Sequence, residues 1–379
     1  MKRLVMAMAF ALAAMAHADA FATPAPEKID AEVQRLMASA RVNGLALALI
    51  EDGQVAYVKA YGKRNEQGDP LQADTVMDGA SLTKAVFAYT VAQLVDEGKI
   101  DLDASIERYL PQALPSYAND SRYAPWHQLE GDERWRKLTP RILLSHRSGF
   151  ANFTALEPDG KLRLHFEPGS RYAYSGDGIM LLQFVLERGQ GLALGPEVQR
   201  RVFDRFAMRR SSMDWRPDFA TNLADGFIAS GKWLPHDKRS KVRAASSMDT
   251  TIEDFAKFAA GFVRGEGLSA QTRADLTRAQ WPITTARQFP TLTPELPPDK
   301  RRRDLAAGLG VVVFDGPQGP GFFKGGHNNG TGNTWVCLDK RRSCAVLLAN
   351  DVRAESIFPY LVRLLLGETG APWDWEYGR

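Results

Sequence analysis

The sequence predicts a mixed α/β chain: an antiparallel sheet built from both ends of the polypeptide, flanked by terminal helices and carrying an inserted, mostly α-helical lobe. Three observations predict it. Residues 45–50 and 55–61 form two apolar runs on either side of Glu51-Asp52-Gly53, the pattern of a β-hairpin. Strand character returns only far downstream, at 309–314 and 334–348. Between them, from about 100 to 245, helical segments, Pro, Trp and irregular connections dominate, with few alternating patterns.

Taken in order, the chain opens with Met1-Lys2-Arg3, an apolar run from Leu4 to Ala16, and small residues at Ala16, Ala18 and Ala20. That order predicts a signal peptide over 1–20, and the run is shorter than the roughly 20 residues a bilayer-spanning helix needs. A periplasmic or secreted protein with no membrane span is therefore expected. A helix follows at 29–37, then the hairpin, then a helix from Ser81 to Glu97 with an apolar face of Val86, Phe87, Thr90, Val91, Leu94 and Val95 and a stop at Gly98. An amphipathic segment at 355–366 closes the chain. About 360 residues exceed what a single growing core holds, so two lobes are expected. Residues 27–80 with 246–379 make the α/β lobe, and 81–245 the helical lobe with the Ser81 helix.

Composition removes several function classes. Loss of Lys2 and Arg3 with the leader leaves 46 basic residues against 45 acidic ones, 44 if Asp19 also leaves, so no nucleic-acid footprint is present. The run Lys300-Arg301-Arg302-Arg303 follows Pro297 and Pro298 and reads as a solvated loop. Cys337 and Cys344 flank Asp339-Lys340-Arg341-Arg342 on two expected strands; an oxidising compartment would permit a cross-strand disulfide, but a one-residue change of register would set the sulfurs on opposite faces, so both states stay open. No metal site and no cofactor are expected, since ligand spacing is missing around these cysteines and no His-Glu-x-x-His occurs. Gly-x-Ser-x-Gly is absent too.

A serine becomes a nucleophile only beside a base. In Ser81-Leu82-Thr83-Lys84 the two functional residues share a helical face at i and i+3, and a helix N-terminus favours developing negative charge. Lys84 can act as that base only with a lowered pKa, so it is expected to be buried. On its own the tetrapeptide fits an N-cap better than a nucleophile. Its surroundings change that reading. Met77-Asp-Gly-Ala-Ser81-Leu-Thr-Lys84, the following Gln93-Leu-Val-Asp-Glu-Gly, and Leu143-Leu-Ser-His-Arg-Ser-Gly-Phe150 resemble the serine β-lactamase and penicillin-binding-protein superfamily, in its class C-like branch, over about 31–365.

The resemblance implies a β-lactamase/transpeptidase-like fold and three motifs. Ser81 and Lys84 supply the first. Tyr174, after the Pro168-Gly169 turn, fits the proton-shuttling tyrosine of the second, but Gly176 stands where that motif has asparagine. For the third, Gly326-His327-Asn328-Asn329-Gly330 sets His327 at the substrate-holding position, with Asn329 where glycine is usual and adding a side chain that narrows the cleft. A second, less favoured alignment places Lys324-Gly325-Gly326 there. The backbone N–H groups of Ser81 and Gly330 are the implied oxyanion donors, and His146 is read as structural. The implied activity is hydrolysis through an acyl-enzyme on amide, β-lactam or ester carbonyls, as in β-lactamases and D-alanyl-D-alanine carboxypeptidases. A carboxylesterase of family VIII type is the alternative, and a β-lactam or peptidoglycan binder without turnover is an alternative of another class. The expected partner is a small-molecule or peptidoglycan-derived substrate.

Overall fold

The computed structural model describes residues 23–378; the expected signal peptide lies outside the described residues. Eight strands form one sheet: β1 (Gly44–Glu51), β2 (Gln54–Gly62), β3 (Trp281–Pro282), β4 (Leu305–Ala307), β5 (Val312–Gly316), β6 (Gly319–Asn328), β7 (Thr331–Leu338) and β8 (Ser343–Ala349). Their spatial order is β2-β1-β8-β7-β6-β5-β4-β3, all neighbours antiparallel. The first strand thus pairs with the last, Leu45 opposite Ala349. Cys337 and Cys344 fall directly opposite one another on β7 and β8 and are joined in a disulfide, so the register resolves the question the sequence left open.

Alternation along the strands sends side chains to two cores. On one face Leu45, Leu47 and Leu49 of β1 and Ala345 and Leu347 of β8 pack against the helices α1 (Pro26–Ala40) and α5 (Phe358–Leu366). On the other, Ala46, Ala48, Val346 and Leu348 meet α2 (Thr83–Asp96), α4 (Ile252–Arg264) and the inserted segment. A short helix, α6 (Trp373–Tyr377), drops Trp375 into the first core.

Three local differences from the sequence reading matter. Residues 83–94 of α2 are buried on every side rather than along one face, because the helix runs inside the molecule. The strand expected from Leu309 starts at Val312: Gly310 takes φ +74° and gives its N–H to the Leu144 carbonyl, which bends the chain. Residues 97–175 hold one five-residue helix, Pro140–Leu144, and otherwise single 3₁₀ turns, so much of the insert is irregular. The α3 helix (Gly176–Phe184) follows, with Ser175 accepting the Gly178 N–H as its N-cap.

Candidate active site

Ser81 lies in the tight turn Ala80–Leu82 that feeds directly into α2. Ala80, just before it, takes φ +44°, a left-handed conformation that costs a non-glycine residue energy and is typical of functional turns. One turn on, Lys84 Nζ is 2.9 Å from Ser81 Oγ and 2.6 Å from the Ala245 carbonyl oxygen. Lys84 is 1% exposed. Burial, reinforced by the cations Lys324 and Arg243, holds its pKa well below that of an ordinary lysine, which is the state a base requires.

Tyr174 is buried on the loop before α3, and its ring faces two lysines, Lys84 Nζ at 5.0 Å and Lys324 Nζ at 5.2 Å from the centroid. Burial raises its pKa while the neighbouring Ser81 hydroxyl pulls the other way, so the group stays a neutral phenol able to give a proton. His146 positions it. Its ring lies 4.3 Å from that of Tyr174, its Nδ1 accepts the Ser175 N–H at 3.2 Å, and its carbonyl accepts the Ala173 N–H. Burial, then the two lysines, keep His146 neutral.

Gly176 opens α3, and a Cβ there would collide with the Phe153 ring. The space of the missing side chain is filled from another loop: Asn152 Oδ1 accepts the Gly176 N–H at 3.0 Å, and both Asn152 and Phe153 line the cavity over Ser81. An amide is therefore present after all, delivered by residue 152. That cavity is open, about 530 Å³, and also bordered by Phe289, Lys324, His327 and Glu376.

The third motif needs correcting. On β6, residues 324 and 327 differ by three and so point to opposite faces. Lys324 turns towards Tyr174, 5% exposed, with Nζ 3.3 Å from the phenol oxygen and 2.6 Å from the Gly325 carbonyl. His327 stands at the cavity rim, its side chain 58% exposed, with Nδ1 2.6 Å from Glu355, whose carboxylate raises its pKa. The alignment through Lys324-Gly325-Gly326 is the one the structure supports. Asn329 and Gly330 form the two-residue turn between β6 and β7 and line a separate, smaller cavity with Asp78 and Gly226. The Gly330 N–H is taken by Asn328 Oδ1 at 2.9 Å, so it cannot serve Ser81. Asn328 opposite Thr331 closes the hairpin as a hydrogen-bonded pair, which makes His327 opposite Gly332 a non-bonded one. The His327 N–H therefore points away from β7, to the side where β6 has run past β5 and meets the Ser81 turn. It thus lies on the side of the strand where Gly330 was expected to supply a donor.

The β-lactamase family model matches residues 29–366. The chain belongs to the β-lactamase family. Members of this family are serine hydrolases. Among relatives, the chain is 27% identical over 322 residues to esterase EstB of Burkholderia gladioli, spanning 78% of this chain and 77% of that one. Its fold is that of a class C β-lactamase (TM-score 0.71, 16% identity, 90% of this chain and 95% of the other) and of D-alanine carboxypeptidase AmpC from Burkholderia cenocepacia (0.69, 17%, 90% and 98%). Within this β-lactamase fold, Glu376, Gln288, Asn152 and Phe153 line or support the site without belonging to any motif read from the sequence. The Asn-Gly turn at 329–330 was the available signal for Lys324, since it fixes which residues of β6 share a face. No comparable signal marks Glu376.

Proposed function

We propose that this protein is an exported serine hydrolase that acts through an acyl-enzyme on Ser81, with ester or amide carbonyls as its targets. The observation that carries the reading is the 2.9 Å contact between Ser81 Oγ and a buried Lys84 whose pKa is pressed down by its surroundings. Lys84 takes the Ser81 proton as Oγ attacks the carbonyl carbon. The oxyanion settles between the N–H groups of Ser81 and His327. Tyr174 protonates the leaving oxygen or nitrogen and is restored by the proton on Lys84, so that the proton from Ser81 ends on the leaving group. Water then attacks the acyl carbon, gives up its proton along the same route, and Ser81 departs as the hydroxyl. The expected leader at 1–20 and the Cys337–Cys344 disulfide support an oxidising, exported address.

The carboxylesterase reading is favoured by the 27% identity to an esterase along three quarters of both chains. The test is intact-mass and turnover measurement with a short-chain p-nitrophenyl ester, a chromogenic cephalosporin and a fluorescent penicillin. Wild-type protein should release p-nitrophenol and gain the acyl mass transiently, and Ser81→Ala should do neither. Turnover that survives Ser81→Ala would remove Ser81 from the mechanism; a lasting adduct without turnover would make the protein a binder.

A further inference from the structure

The cavity over Ser81 is lined by an acidic side chain, Glu376, as well as by Lys324. Lys84 is held neutral by burial, and His327 is committed to Glu355, which leaves Lys324 as the cation that a negatively charged substrate would find beside Ser81 and Tyr174. Helix α6 brings Glu376 to that place. The helix is docked by Trp375, buried, with Nε1 3.2 Å from Thr285 Oγ1, and by the Trp375 carbonyl accepting the Gln288 N–H at 2.9 Å.

Glu376 does not swing freely. One carboxylate oxygen sits over Gly325, so close that a Cβ there would collide with it, and the other accepts from Gln288 Nε2. Gln288 in turn accepts the Tyr172 hydroxyl at 2.8 Å, and both Gln288 and Tyr172 are buried. A buried chain of hydrogen bonds thus fixes the acid on the cavity wall over Gly325. Glu355, on the same wall behind His327, adds a second carboxylate. Burial pushes the Glu376 carboxyl up to about 7 while Lys324 pulls the other way, so the group is a carboxylate above that pH. In a partly desolvated cavity like charges then repel far more strongly than in water, and a juxtaposed like charge is an effective way to reject a wrong partner.

We propose that Glu376 sets the substrate class of this hydrolase: its carboxyl group lines the cavity over Ser81 together with Lys324 and offsets that lysine's attraction for an anion, so that neutral esters and amides are accepted and acyl donors with a carboxylate near the scissile carbonyl, β-lactams and peptides ending in a free carboxylate among them, are rejected. This rests on the acyl-enzyme reading above. The glycine at 325 belongs to the same device, since any larger residue would displace the carboxylate from its place.

The experiment compares, at a pH about one unit above the Glu376 pKa of about 7, kcat/KM for two p-nitrophenyl esters of equal chain length, pentanoate and the monoester of glutaric acid, together with a chromogenic cephalosporin. Wild-type protein should prefer the neutral ester by more than tenfold. Glu376→Gln should narrow that ratio at least tenfold by improving the anionic ester, with Glu376→Ala as a second variant should the first fold poorly. A wild-type ratio near one, with Ser81→Ala inactive, would overturn this proposal and leave the acyl-enzyme intact. An unchanged ratio in either folded variant would overturn the role of Glu376. A wild-type protein that cleaves neither ester, or cleavage that persists in Ser81→Ala, would overturn the acyl-enzyme reading instead and take this proposal with it.

Discussion

Lys84 and Lys324 approach the same tyrosine ring, at 5.0 and 5.2 Å from its centroid, and both are buried, yet they are held in different ways. Around Lys84 stand two neutral acceptors, the Ser81 hydroxyl and the Ala245 carbonyl, but no carboxylate, and burial with the cations Lys324 and Arg243 disfavours the ammonium form. Around Lys324, burial also lowers the pKa, but Glu376 works against it and favours the charged form. Residue type and burial are the same; the neighbouring carboxylate makes the difference. One lysine is prepared to take a proton and the other to carry charge.

That contrast can be broken by substitution. The largest effect is expected at Lys84, where Lys84→Ala and Lys84→Arg should both lower kcat for a p-nitrophenyl ester by about a thousandfold or more, since nucleophile and base act as a unit and a guanidinium does not deprotonate. At Lys324 the expectation is different. Lys324→Ala should cost about a hundredfold, the scale of one electrostatic donor, and Lys324→Arg should recover part of it because only charge is asked of that position. Equal losses in Lys84→Arg and Lys324→Arg would erase the distinction drawn between them.

A smaller effect tests the loop that replaces the motif asparagine. Gly176→Asn should destabilise the fold by about 1–3 kcal/mol through overpacking against Phe153, and adding Phe153→Ala should return part of the lost thermal stability; a Gly176→Asn protein with the wild-type melting temperature would show that the ring yields freely. The smallest effect is a shift in a pH profile. Activity requires neutral Lys84, so kcat/KM should rise with pH through a pKa well below that of free lysine and be lost as pH falls below it. Because the charge on Lys324 is one cause of that depression, Lys324→Met should raise the Lys84 pKa and move the acidic limb to higher pH. A limb that stays in place would mean that burial and Arg243 set the Lys84 pKa without Lys324.

The two sides of the cavity also differ in how far they could be read in advance. Ser81 and Lys84 sit in one local turn, so spacing along a helix was enough to bring them together. Tyr174 followed from the text around Pro168-Gly169, and the hairpin at 44–62 and the terminal helix were visible as periodicity. Lys324 required more: a strand residue is assigned to a face only by its register, and His327, three positions on, was preferred though it belongs to the opposite face. Glu376 needed tertiary structure altogether, because a carboxylate on a five-residue helix carries no sign of the cavity it enters. Asn152 was hidden for the same reason: its amide reaches the site from 24 residues before the position where one was sought.

The pairing of β1 with β8 has a consequence for how the molecule comes into being. Leu45 finds its ladder partner in Ala349, about three hundred residues later, so the N-terminal hairpin waits with a bare edge until almost the whole polypeptide has emerged from the ribosome. Such distant contacts slow folding and expose an aggregation-prone intermediate. The same delay falls on the Ser81 turn, which packs against β6 and β7 and so takes its final place only after those late strands have arrived.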